Sequence, residues 1–179
     1  MLKILAVAAA VLVGPVVLVV MIGYALPQQH VAARALSLGQ KPEDVFALIS
    51  NFKDGPAWRA GLQQVEILPD RDGHTRFREK SKNGAITYEV VEANPPRRLV
   101  TRIDGKGMPF GGGWIFEVSP TPDGCRLNIT ERGEIYNPVF RFVSRFILGY
   151  TGTMDTYWKN VSQKFGESSV PVDGNAAER

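Results

Sequence analysis

The chain opens on one unbroken apolar block and then settles into short alternating runs. From Ile4 to Leu26 no side chain is charged. A helix rises about 1.5 Å per residue and a bilayer core is about 30 Å thick, so roughly 20 such residues suffice to span it. Pro15, beside Gly14, kinks such a helix without excluding it, because neighbouring groups in a membrane re-satisfy the freed carbonyl. Residues 1–28 are therefore expected to form a transmembrane anchor. A cleaved secretory signal fits less well. Its apolar region runs about 7–15 residues before a small-residue cleavage site, whereas Tyr24-Ala25-Leu26-Pro27 is a poor site and Val31-Ala32-Ala33 falls within the first strand.

Val31 to Leu38 alternates small and apolar residues and reads as a strand. Pro42-Glu43-Asp44 opens a helix, with proline in the first turn and two acids at the positive end of the dipole. Val45, Phe46, Leu48 and Ile49 give that helix an apolar face ending near Asn51. Gly55, Pro56 and Gly61 break the next segment into short turns, with Trp58 folded inward. Strands are then expected over Val65–Leu68, Thr75–Ser81, Ile86–Glu92, Arg98–Ile103, Trp114–Val118 and Arg126–Ile135. Pro69–Gly73 and Lys82-Asn83-Gly84 read as hairpin turns, and Asn-Gly favours the type I′ form at the second. Asn137-Pro138 opens the longest helical pattern. Val139, Phe140, Val143, Phe146, Ile147, Tyr150, Met154, Tyr157, Trp158, Val161 and Phe165 recur at spacings of three and four.

That order predicts an α+β fold, a curved antiparallel sheet whose apolar face is covered by one long C-terminal helix. Residues 29–166 form the domain, and residues 167–179, small and polar, form a disordered tail. The folded part is about 140 residues, enough for one domain with one core.

Composition mainly removes possibilities. The single cysteine, Cys125, excludes an internal disulfide and reads as a buried thiol at a strand start. With two histidines in the chain, normal zinc ligation lacks donors. His30 directly follows the anchor and His74 follows the Asp72-Gly73 turn, so neither is expected to serve as a base in a pocket. A formal charge of +3 suits anionic headgroups but, without an arginine-rich helix or an aromatic RNA-binding motif, implies no nucleic acid. Gly105 to Gly113 lacks the phosphate-loop signature; with Met108 and Phe110 it reads as a solvated loop, a gate, or a membrane-touching loop. No cofactor is expected, protein partners are unknown, and a non-enzymatic envelope interaction protein is one alternative reading.

Taken in order, several stretches resemble the START-like (SRPBCC) superfamily, specifically its bacterial polyketide cyclase/dehydrase-type members. They are Val31-Ala-Ala-Arg-Ala-Leu-Ser-Leu, Pro42-Glu-Asp-Val-Phe-Ala-Leu-Ile-Ser-Asn-Phe with Trp58 after it, Val65-Glu-Ile-Leu, Asn94-Pro-Pro-Arg-Arg-Leu-Val and the final helix. The resemblance covers about residues 30–166. It implies a helix-grip fold with a cavity between sheet and C-terminal helix for a hydrophobic small molecule or lipid. It does not imply a reaction, because members include binders, transfer proteins and a minority of enzymes. With Lys3 before the span, a bacterial inner-membrane protein with its domain facing the periplasm or exterior is expected.

Period two selects the lining. Trp114, Phe116 and Val118 share a face, as do Leu127, Ile129, Glu131 and Ile135, and Phe77 shares its face with Glu79. Glu79 and Glu131 thus point toward the apolar side. There a carboxylate is costly unless paired, and it becomes either a polar anchor for a ligand or an acid–base group. Pairing with Arg78, Arg102 or Arg132, or a bulge that reverses parity, is the structural alternative. The expected ligand-binding set is Trp58, Glu79, Tyr88, Trp114, Phe116, Glu131, Tyr150, Met154 and Trp158, with Tyr136 and Tyr157 as further candidates. Gly149 and Gly152 weaken the final helix around Tyr150 by about 1 kcal/mol each, permitting a bend that shapes the cavity.

Overall fold

The structure, a computed structural model, describes residues 2–105 and 107–177, with side chains from residue 13 onward. Helix α1 (Leu2–Ala25) leads into strand β1 (Gln29–Leu38), helix α2 (Pro42–Ser50) and a 3₁₀ turn (Phe52–Ala57). Six strands follow: β2 (Leu62–Arg71), β3 (His74–Ser81), β4 (Gly84–Asn94), β5 (Arg98–Ile103), β6 (Phe110–Thr121) and β7 (Gly124–Ile135). Helix α3 (Pro138–Val143), a π turn (Ser144–Leu148), helix α4 (Gly152–Lys164) and a short strand β8 (Val172–Asp173) complete the chain. The sheet has eight strands in the order β2-β3-β4-β5-β6-β7-β1-β8, and every described pairing is antiparallel. The α+β arrangement expected from the alternation, a curved antiparallel sheet with a C-terminal helix, is observed and fits the helix-grip fold that the resemblance implies.

The core lies where α2 and α4 cover β1, β6 and β7. Val45, Phe46 and Ile49 from α2 meet Met154, Tyr157, Trp158 and Val161 from α4 over Leu36, Phe116, Val118, Leu127 and Ile129. Cross-strand register follows the predicted parity, with Trp114 opposite Glu131, Phe116 opposite Ile129 and Val118 opposite Leu127.

Local geometry departs from expectation at three points. The two-residue turn with positive φ at both centres is Asp72-Gly73 (54° and 81°), as a type I′ turn requires. At the second hairpin, Ser81 pairs with Gly84, so Lys82-Asn83 form the turn and the positive φ falls on Gly84. The glycine-rich stretch is partly strand: β6 begins at Phe110, because Gly111, Gly112 and Gly113 pair with Glu134, Gly133 and Arg132. A Cβ on Gly112 or Gly113 would lie 2.0–2.1 Å from a neighbouring carbonyl oxygen, so these glycines permit close strand approach.

The third departure shapes the molecule most. The expected single C-terminal helix is broken at Gly149, whose φ of 73° suits glycine. Only α4 covers the sheet, while α3 turns aside to pack against the end of α1. Gly23 makes that contact, and a Cβ there would lie 2.0 Å from the Pro138 carbonyl oxygen. The Arg141 guanidinium donates to the Leu26 carbonyl at 2.8 Å and sits 6.0 Å from the Tyr24 ring centroid.

Among the described residues no helix is long and apolar enough to cross a membrane. The front part of the Ile4–Leu26 run lies outside the described side chains. At the other end, the segment after Gly166, expected as a disordered tail, packs along the side of β1 that β7 leaves open, where β8 pairs with it. Arg34 holds it by donating to Asp173 at 2.8 Å while also binding Asp155 at 2.7 Å. The Thr130 hydroxyl accepts from the Ala177 amide at 2.8 Å. Backbone groups left unpaired on that side of the strand are what give this polar segment a place to dock.

Candidate functional site

Because α3 leaves the sheet, one end of the concave face stays uncovered. The result is a cavity of about 600 Å³ bounded by the sheet, the 3₁₀ turn and the start of α4. Its walls are mostly aromatic. Phe52 stacks on Phe77 at 3.9 Å, and Phe77 stacks on its cross-strand neighbour Tyr88 at 5.3 Å. Tyr157 projects from α4 into a ring cluster, 5.5 Å from Trp58 and 5.5 Å from Trp114, both edge-on. Such geometries suit the aromatic quadrupole and hold the rings rigid. Burial pushes the Tyr88 and Tyr157 hydroxyls well above the usual phenol range.

Two carboxylates stand in this apolar wall, each held differently. Glu79 is bound by both guanidinium nitrogens of Arg59, and the Nη2 contact is 3.0 Å. The Arg59 guanidinium also lies 5.2 Å from the Tyr157 ring centroid. Glu131 instead accepts from Trp114 Nε1 at 2.8 Å through Oε2 and meets His30 Nε2 at 3.1 Å through Oε1. His30 stacks on Tyr150 at 4.0 Å, and its ring also lies against Gly133. A Cβ on Gly133 would come within 2.2 Å of the imidazole, so the ring occupies space that only glycine leaves open. Chemically, Glu131 is a fixed acceptor oriented by two donors, and Glu79–Arg59 is a neutralised bidentate pair.

Trp58, Glu79, Tyr88, Trp114, Phe116, Glu131 and Tyr150 all line the cavity. Met154 and Trp158 do not. Both are fully buried in the core beneath α4, because the break at Gly149 starts the covering helix at Gly152 and turns these positions onto the sheet. Tyr157 lines the cavity, whereas Tyr136 is exposed and donates to Glu134 at 2.6 Å. The partner of Glu79 is Arg59 rather than Arg78, which pairs with Glu66 at 3.4 Å. His30, set aside on sequence grounds, is a wall residue. The strand starts at Gln29, earlier than the alternation suggests, and its pairing with β7 carries His30 across Gly133. Arg59 also went unpredicted, since the broken segment that carries it has no periodicity. Among the described residues no group of three His, Cys, Asp or Glu is placed to hold a metal ion.

A curved antiparallel sheet gripping a C-terminal helix, with an aromatic cavity between them, is a START-like helix-grip architecture. The sequence pattern of the family described as polyketide cyclase/dehydrase and lipid transport matches residues 38–164, and the chain belongs to that family. No curated protein matches. Among solved structures, a conserved protein from Geobacillus kaustophilus superposes with a TM-score of 0.64 at 17% identity, over 79% of this chain and 99% of that one. Truncated norcoclaurine synthase from Thalictrum flavum gives 0.61 at 15% identity, over 76% and 93%. The di-domain ARO/CYC StfQ of the steffimycin biosynthetic pathway gives 0.59 at 12% identity, over 78% of this chain. The match spans 52% of StfQ, about half its length. At these identities the likeness is one of fold.

Proposed function

We propose that this protein is a membrane-anchored binder of a hydrophobic small molecule or lipid, which it holds in the cavity between sheet and α4. One observation carries the reading: a cavity of about 600 Å³ walled by rigid aromatics, with few fixed polar groups. That combination of apolar bulk and sparse, oriented polarity is what small-molecule sites have in common. Glu131 and the Glu79–Arg59 pair serve as the polar anchors, and the rings of Trp58, Tyr88, Trp114, Phe116 and Tyr150 contact the apolar body. Organic extraction of the purified chain followed by mass spectrometry tests it. A stoichiometric apolar ligand is expected, and Trp114→Arg should abolish its recovery. Equal recovery from parent and variant would refute the assignment.

The anchor in this proposal is the run Ile4–Leu26. Its support is physical: Val13 to Leu18 are apolar on every side of α1 and exposed on every side. A helix apolar all round is stable only inside protein or lipid. With the charge of Lys3 directly before the run, an N-terminus in the cytoplasm and a domain facing the periplasm or exterior is the orientation we propose. Resistance to alkaline extraction, with protease access from the outer side only, is the expected result. Release into the wash would remove the anchor.

The orientation of Glu131 by two donors favours one second reading, acid–base chemistry on a bound carbonyl compound. Glu131→Gln separates the two: in a binder the change is read as weakened ligand retention with no turnover to lose, whereas in an enzyme turnover is lost even with the cavity saturated.

A further inference from the structure

The surface around the cavity opening is apolar in a way the ligand site does not require. Phe146, Ile147 and Leu148 in the π turn are 59%, 69% and 62% exposed. Val139 and Phe140 on α3 and Met21 and Tyr24 on α1 are exposed beside them in sequence and packing. From Ile135 to Met154 the chain contains no acidic residue, and its only charges are Arg141 and Arg145. Contiguous exposed apolar area of this kind marks a contact surface. Arg141 is buried against the Leu26 and Tyr136 carbonyls, whereas Arg145 is exposed, and apolar residues beside an exposed arginine fit an anionic lipid headgroup layer.

Depth is set by the helix contact. Pro138 packs directly on Gly23, and Arg141 binds the Leu26 carbonyl while lying near the Tyr24 ring. Gly23, Tyr24 and Leu26 belong to the same charge-free run as the anchor. If α1 spans the bilayer, α3 is pinned beside its last two turns, at the level where aromatic and arginine side chains collect. The π turn then cannot stand clear in water. The opening of the cavity falls at the same place. Apart from Asn51, every exposed residue of the cavity lining lies between Phe140 and Thr153.

We infer that α3, the π turn and the end of α1 together form a second, interfacial membrane contact, which seats the mouth of the cavity in the headgroup–acyl boundary. The inference rests on the reading of α1 as an anchor. It adds that the ligand enters directly from the bilayer, without crossing water. The π turn brings its exposed side chains to one short segment, and Gly149 after it lets the chain turn back to the sheet.

Because Cys125 is fully buried, a fluorophore can be placed selectively on an introduced surface cysteine. The full chain carrying Ile147→Cys, labelled with an environment-sensitive dye, is reconstituted in phosphatidylcholine–phosphatidylglycerol vesicles. Ala93→Cys, exposed and outside the cavity lining, is the control. Acyl-chain nitroxide lipids should quench the label at 147 at least fivefold more than the label at 93. Equal quenching, with the chain still vesicle-bound, overturns the inference and leaves the anchor standing. Failure to bind vesicles overturns both. A blue shift at 147 that depends on protein concentration without lipid would assign the face to a second copy of this chain, and overturns it too. Transfer of a fluorescent fatty acid from vesicles gives an independent readout. The double variant Phe146→Ser, Ile147→Ser, at two exposed positions outside the cavity lining, should slow uptake at least fivefold with final occupancy within twofold of the parent. An unchanged rate overturns entry from the bilayer. Embedding of the 147 label with no uptake by the parent chain upholds the membrane seat and overturns the cavity reading instead.

Discussion

Trp114 and Glu131 face each other across the β6–β7 ladder, and the indole N–H of one donates to the carboxylate of the other at 2.8 Å. Direct cross-strand neighbours on one face are the closest side-chain pairs a sheet makes. The ladder therefore fixes this contact before any ligand arrives. Trp114→Phe keeps the ring and deletes the donor. Hydrogen bonds to charged groups contribute about 1.5–3 kcal/mol, and a loss in that range is expected by urea denaturation. Combined with Glu131→Gln, the loss should shrink by more than half, since the charge that needed the donor is gone. Additive single-variant losses would show that the pair is not coupled.

Arg59 and Glu79 call for a different experiment because the whole pair is neutral. Both side chains are mostly buried, 23% and 13% exposed. Removing one partner strands the other's charge in the aromatic wall. Breaking a fully buried pair costs about 3–5 kcal/mol, so Arg59→Met at this partly exposed site should cost roughly 2–3 kcal/mol. Arg59→Met with Glu79→Leu replaces the pair by apolar groups and should recover most of the loss. Thermal unfolding of the two variants side by side decides it, and a double variant weaker than Arg59→Met is the contrary outcome.

How much of this was legible depended on periodicity. Strands announce themselves by alternation, and the parity that put Trp114, Phe116, Glu79 and Glu131 on the concave face is the observed one. The C-terminal helix misled for a physical reason. Spacings of three and four continue from Val139 through Phe165, yet Phe146-Ile147-Leu148 are consecutive, which no single helix face can bury. That run and Gly149 together were the signal for the break. A break after Gly149 starts the covering helix at Gly152 and leaves Met154 and Trp158 in the core rather than in the cavity wall. His30 and Arg59 left no local trace. Their roles come from tertiary placement, the first across Gly133 and the second beside Glu79.

Gly133 is the residue whose smallest change should matter most. Its absent side chain is where the His30 ring lies, so Gly133→Ala must displace the imidazole or the strand. Overpacking of this kind costs about 1–3 kcal/mol. The specific consequence is loss of the His30–Glu131 contact and of the stack on Tyr150. In proton NMR the His30 ring signals should move downfield as shielding by Tyr150 is lost. A variant with unmoved His30 resonances and parental stability contradicts the packing described.

Cys125 gives a prediction whose sign follows from linkage. It is fully buried, and burial pushes its thiol up to about 11, with the charges of Glu167 and Glu43 adding to the effect. In the unfolded chain a cysteine titrates near about 8.5. The folded protein thus holds the proton more tightly than the unfolded chain. The stability contributed by this difference is whole below the unfolded value and is lost as the pH rises toward 11. Cys125→Ala removes the titration while keeping the site apolar. Between about pH 8 and 10.5 the urea midpoint of the parent should therefore fall further than that of the variant. Tyrosine and lysine titrations are common to both chains and cancel in the comparison. The same burial predicts that a soluble disulfide reagent reacts with native Cys125 only as fast as the domain opens, because the thiolate is the nucleophile. Parallel alkaline losses in the two chains, together with immediate reaction of the native thiol, would place Cys125 at the surface and contradict its burial in β7.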